Sequence, residues 1–144
     1  KGATPGDIHV IPALLEKVAK GQYPLELLGD PAATRPFTFI TDAVEATVLI
    51  VLKASTDEEV VRNTDFNIGT DTYYTILDLA KVIWEKYGDG REFAFVEVPT
   101  KANTALRREV DITKIRTLLG WEPKTTLEEG LKPTARWIQS RAKS

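Results

Sequence analysis

Cysteine and methionine are both missing from this 144-residue chain, and histidine occurs once. Without cysteine there is neither a disulfide nor a thiolate nucleophile, and a single histidine excludes a multi-histidine metal cluster. Charge of one sign is scarce as well: 19 Lys and Arg against 21 Asp and Glu leave a net charge of -2. So small an acidic balance gives no general attraction to nucleic acid or to anionic membranes, and any phosphate site must be local. The longest apolar run lies around Val48 to Leu52, far short of the roughly 20 residues that a bilayer crossing needs. No signal peptide or lipidation motif is visible. A cytoplasmic location is permitted by these absences and is the expectation.

What is present suits a globular fold. Apolar residues make up 42% of the chain, enough for a modest core in one domain, expected to span residues 1–144. The chain opens Lys1-Gly2-Ala3-Thr4-Pro5-Gly6, which reads as a point partway through a longer protein; a processed or engineered start is the alternative.

The start, stop and turn signals agree best in the last third. Asp111 can cap a short helix with Ile112, Ile115, Leu118 and Leu119 at helical spacing. Gly120 ends it in the left-handed conformation that glycine enters cheaply. Trp121 follows as an apolar plug, and Pro123 keeps the helix from resuming. Thr126-Leu-Glu-Glu129 has capping-box spacing and opens a second helix with a stripe of Leu127, Leu131, Ala135 and Ile138.

Upstream, residues 1–7 hold two glycines and a proline and read as a loop. Ile8 to Lys20 fits a helix with Pro12 in its first turn and Gly21 past its end. Leu25 to Gly29 reads as a short strand, Gly29-Asp30-Pro31 as a turn, and Arg35 to Ile40 as a second extended segment with Phe37 and Phe39 on one face. Thr41 or Asp42 is expected to cap a helix over Ala43 to Ala54, apolar almost all round and so in need of cover on more than one side. Ser55 to Thr64 reads as a loop or weak helical turn, and Asp65-Phe-Asn-Ile-Gly-Thr70 as a short buried strand. Thr75-x-x-Asp78 marks a capped helix with Ile76, Leu79, Ala80, Ile83 and Tyr87 inward, stopped by Gly88-Asp89-Gly90. A strand over Phe93 to Val98 and a loop from Pro99 to Leu106 lead to Arg107.

Asp-Ile-Thr-Lys, Leu-Leu-Gly-Trp-Glu-Pro and Leu-Glu-Glu-Gly-Leu resemble the C-terminal end of the extended short-chain dehydrogenase/reductases that act on nucleotide-diphosphate sugars: epimerases, 4,6-dehydratases and their relatives. The resemblance extends from His9 to Trp137, but it corresponds only to the second half of such an enzyme. It implies an α/β fold, the substrate-binding portion, with the Rossmann half absent. It also implies a set of site residues. His9 and Val10 stand where the family enters a helix beside the nucleotide, although the plainer reading of His9 is a surface or capping residue. Leu28 stands beside the base where an aromatic ring is common in relatives. Arg35 matches the arginine that pairs with the diphosphate, and its planar, permanently charged donor fork suits phosphate oxygens. Arg107 or Arg108 stands where relatives place a second phosphate-binding arginine, and the spacing does not say which. For Arg108 the competing reading is a solvated ion pair with Glu109.

The family's Gly-rich cofactor turn is not found, and no tyrosine is followed four residues later by lysine. The 144 residues are therefore expected to bind no NAD and to have no catalytic residues of their own, with NAD or NADP belonging to the full-length enzyme. The function implied is to hold a nucleotide-diphosphate sugar for an NAD(P)-dependent epimerase, dehydratase or reductase. A free-standing nucleotide-binding or protein-interaction module without catalysis is the alternative. In the family the Asn-Ile-Gly strand joins a sheet built by the missing N-terminal half. An unpartnered strand and apolar helix then predict association with a second copy, a homodimer or a swapped arrangement.

Overall fold

A computed structural model describes residues 9–100 and 105–142. The loop expected at 1–7 and the middle of the one expected at 99–106 lie outside the described residues. Among the described residues, six helices and four short strands follow one another as α1 (Val10–Ala19), β1 (Leu25–Leu28), β2 (Thr34–Pro36), α2 (Ile40–Thr56), α3 (Glu58–Val61), β3 (Tyr73–Thr75), α4 (Ile76–Tyr87), β4 (Phe95–Val98), α5 (Thr113–Leu119) and α6 (Leu127–Ala142). The mixed α/β class expected from the sequence is the class observed. Two two-stranded ladders are present among the described residues, β1 with β4 and β2 with β3. The chain divides into two compact units, one of Lys1–Thr34, Tyr74–Leu106 and Glu128–Ser144, the other of Arg35–Tyr73 and Arg107–Leu127.

In the first unit β1 and β4 run parallel, with Leu25 opposite Phe95 and Leu28 opposite Val98. Strand alternation sends Leu25 and Leu27 fully inward and leaves Leu28 exposed. Helix α1 packs on α4 and on β1, contributing Leu14, Leu15 and Val18 to a core with Ile76, Leu79, Ala80, Ile83 and Trp84. The start of α4 follows its sequence signal: the Thr75 hydroxyl accepts from the Asp78 amide at 2.9 Å. The stripe expected on α6 is buried at Leu127, Leu131, Ala135 and Ile138.

In the second unit Ala46 of α2, Ile112, Ile115 of α5 and Trp121 form a buried cluster, with Leu49, Ile50, Phe66, Ile68, Val110 and Leu119 packed around it. Gly120 closes α5 with φ +66°, the left-handed cap that its sequence predicts. The carboxylate of Asp111 accepts from the Thr113 amide at 2.9 Å, and the Thr113 hydroxyl first, with this amide second, holds its pKa below the usual carboxylate value.

Two expectations fail here. Helix α2 begins at Ile40, not after Thr41 or Asp42, and no side chain caps it. Asp42 instead turns inward and accepts from the amides of Thr125 and Lys124 at 2.9 and 3.2 Å and from the Thr125 hydroxyl at 2.9 Å. Three donors on one carboxylate outweigh a cap contribution of about 1 kcal/mol. Residues 65–70 form no strand, because a strand exists only where a neighbour supplies ladder hydrogen bonds. Side-chain ties hold the segment instead: Asn67 donates to the Asp111 carbonyl at 3.0 Å, and Asp65 pairs with Lys114 at 3.2 Å.

The outer side of α2 carries Ile40, Val44, Val48, Val51 and Leu52, each at least half exposed. Their spacing of four, four, three and one places them on one helical stripe.

Candidate functional site

Arg35 lies on β2 and is half-buried. Just before it, the Thr34 amide donates to the Leu106 carbonyl at 2.9 Å, so the backbone leading into Arg35 lies against the backbone leading into Arg107. Arg107 pairs with Glu109. Arg108, between them, forms no ion pair among the described residues and stands close enough to Arg35 to act on it. Burial first, and the Arg108 guanidinium second, push the Arg35 pKa down. Both groups keep their charge all the same, since a guanidinium does not deprotonate in proteins.

The choice between the two downstream arginines, open in the sequence, thus has a structural counterpart. Glu109 goes to Arg107, two residues away on the same side of an extended segment, while Arg108 faces the other side and its charge helps lower the Arg35 pKa. Two guanidinium charges that act on one another repel, and a protein with net charge -2 has no general need of such a pair. Their natural complement is an anion bridging both forks.

The segment that carries Arg108 is held at its far end by three residues. The Tyr73 hydroxyl accepts from the Val110 amide at 3.0 Å and donates to the Val110 carbonyl at 3.3 Å. Asn67 takes the Asp111 carbonyl, and Gly69 lies so close that an added Cβ would come within 2.9 Å of Val110 Cγ1. Arg116 braces the same loop by donating to Asp71 at 2.8 Å, which holds the Asp71 carboxyl below its usual pKa.

The remaining expected residues belong to the first unit. His9 is the exposed residue at the start of α1 and makes no capping hydrogen bond, Val10 is half-buried in the first turn, and Leu28 is exposed at the end of β1. Among the described residues there is no cluster of three or more potential metal ligands, and no helix is long and apolar enough to cross a membrane.

Comparison with known proteins decides the family. The model of the family described as GDP-mannose 4,6 dehydratase matches residues 3–134. The chain belongs to this family. It is a member of the extended short-chain dehydrogenase/reductases that act on nucleotide sugars, as Asp-Ile-Thr-Lys and Leu-Gly-Trp-Glu-Pro suggest. Among curated proteins it is similar to UDP-glucuronic acid decarboxylase 4 of Arabidopsis thaliana, 37% identical over 75% of this chain and 22% of the relative. Among solved structures it resembles UDP-glucose 4-epimerase of Thermotoga maritima with UDP-glucose, with a TM-score of 0.74, 29% identity, and 96% of this chain against 41% of that one. It also resembles UDP-glucuronic acid 4-epimerase of Bacillus cereus in complex with NAD, with a TM-score of 0.69 and 25% identity over 92% of this chain and 40% of that one. This epimerase/dehydratase family member therefore spans well under half the length of these relatives.

Sequence reasoning missed Tyr73. Its partner lies 37 residues away, beyond any local pattern. The only available hint was the Tyr73-Tyr74 pair, separated by three residues from the Asn-Ile-Gly segment, two aromatic residues where a strand was not expected.

Proposed function

We propose that this chain is the portion of an NAD(P)-dependent nucleotide-sugar epimerase or dehydratase that binds the nucleotide-diphosphate sugar. Arg35 and Arg108 hold the diphosphate. The observation that carries this reading is the 2.9 Å hydrogen bond from the Thr34 amide to the Leu106 carbonyl, which sets the backbone entering a half-buried Arg35 against the backbone entering Arg107 and Arg108 in a chain of slight negative charge. Family membership supports the choice of a diphosphate over other anions. The contribution to catalysis is positional: holding the diphosphate places the sugar against the cofactor and catalytic tyrosine supplied by the rest of the enzyme, in the cytoplasm.

Calorimetric titration with UDP, GDP, CDP and dTDP and their sugars tests this. At least one diphosphate is expected to bind at millimolar concentration or better, and its nucleoside far more weakly. Arg35→Ala or Arg108→Ala each removes a charge-assisted contact of about 1.5–3 kcal/mol, so affinity falls roughly 10- to 150-fold. Arg107→Ala is expected to cost little, since that guanidinium is engaged with Glu109. Absence of binding to every nucleotide, or equal losses at Arg107 and Arg108, would sink the assignment.

The stripe Ile40, Val44, Val48, Val51 and Leu52 supports a second proposal. As 144 residues alone the protein pairs with a second copy through α2, the face a cofactor domain otherwise covers, because five exposed aliphatic side chains on one helix favour association. Sedimentation equilibrium is expected to give a concentration-dependent dimer, with Val48→Glu shifting it to monomer. A monomer at every concentration would refute it.

A further inference from the structure

We infer that Tyr73 is a positioning residue for the anion site, its phenol fixing the distance between the strand that carries Arg35 and the segment that carries Arg108. The inference rests on the diphosphate reading given above. Tyr73 begins β3, and β3 pairs with β2, on which Arg35 sits. Its hydroxyl reaches across to Val110, two residues beyond Arg108, and engages both the amide and the carbonyl of that residue. One oxygen thus donates and accepts at a single residue, which fixes the segment along its length as well as across it. The segment needs such a tie. Arg107, Arg108 and Glu109 are all exposed, Arg108 is repelled by Arg35, and no regular ladder holds residues 108–112. Without the phenol, the first hydrogen bond left on the backbone past Arg108 is that of Asn67 to the Asp111 carbonyl, three residues on, so Arg108 is less tightly placed and each binding event must reorder it.

The prediction differs from that for a merely structural tyrosine. Tyr73→Phe keeps the half-buried ring and removes both hydrogen bonds. It is expected to weaken UDP, or whichever diphosphate binds the wild-type chain, by about 10-fold. It should leave the weak affinity for the corresponding nucleoside and the far-UV circular dichroism unchanged. In an Arg108→Ala background the same substitution should cost less than about 2-fold, because its effect passes through Arg108. In the free protein, hydrogen exchange at the Val110 amide should quicken while exchange in α5 stays as it was.

An equal loss in both backgrounds, or parallel losses for nucleoside and diphosphate, would mean that Tyr73 serves the fold and would overturn the inference while leaving the diphosphate site standing. Wild-type affinity retained in Tyr73→Phe would also overturn it. Failure of the wild-type chain to bind any diphosphate would instead remove the reading on which it rests, and the inference with it.

Discussion

Trp121→Ala is expected to destabilise the second unit by about 3–5 kcal/mol, the usual cost of removing a large buried aromatic side chain. Trp121 is 3% exposed and closes a cluster that includes Ala46, Ile112 and Ile115. Small domains have only about 5–15 kcal/mol in total, so this loss is a large part of what holds α2 to α5. Urea titration followed by circular dichroism should show an earlier transition for the unit formed by residues 35–73 and 107–127. Trp121→Phe separates two contributions. It loses part of the ring, but it also removes an indole N–H that is buried without a partner among the described residues, a penalty of about 1–3 kcal/mol in the wild type. The phenylalanine variant should therefore lose far less than the alanine one, about 1 kcal/mol. Equal losses for the two would show that the polar atom carries no penalty, and an alanine variant within 1 kcal/mol of wild type would contradict the packing account.

Asp42→Ala is expected to cost about 3 kcal/mol. The carboxylate is 5% exposed and receives three hydrogen bonds, two of them from Thr125 and one from the Lys124 amide. Bonds to a charged acceptor contribute about 1.5–3 kcal/mol, and removing the acceptor leaves the donors without a partner inside the protein. The contrast is with Glu45, which meets Lys124 Nζ at 2.8 Å with both side chains exposed. That pair contributes about 0–1 kcal/mol. Asp42→Asn should lie between, since its oxygen still accepts but its amide nitrogen faces donors. Thermal denaturation of Asp42→Ala, Asp42→Asn and Glu45→Ala should rank in that order of loss, and a Glu45→Ala loss as large as that of Asp42→Ala would refute the account.

Elements whose signals are local were legible in the sequence. The cap at Thr75, the left-handed Gly120, the plug at Trp121 and the stripe from Leu127 to Ile138 each depend on residues within a few positions, and each is found. The family was legible from the same stretch. What failed depends on distant partners. Asp42 has the composition of a cap but is claimed by Thr125, 83 positions on. The segment at 65–70 has strand composition without a strand beside it. Within the candidate site, Arg35 and the arginine pair were visible as residue types in a motif, whereas the pairing of Arg107 with Glu109 depends on the side of the chain each residue faces. Tyr73 was invisible because a tyrosine's hydroxyl carries no sequence mark of the backbone it will reach.

The way the two units interleave bears on how the protein is made. Ala46 leaves the ribosome well before Trp121, and the residues that cover it are spread over that interval. At about 5–20 residues per second, a delay of about 75 residues leaves the aliphatic α2 segment uncovered for roughly 4–15 s. The first unit waits longer, because its last buried side chain, Ile138, follows Trp121 in the chain. The second unit therefore has all its buried residues in hand first, while the first unit's apolar side chains from Leu14 onward wait for Ile138.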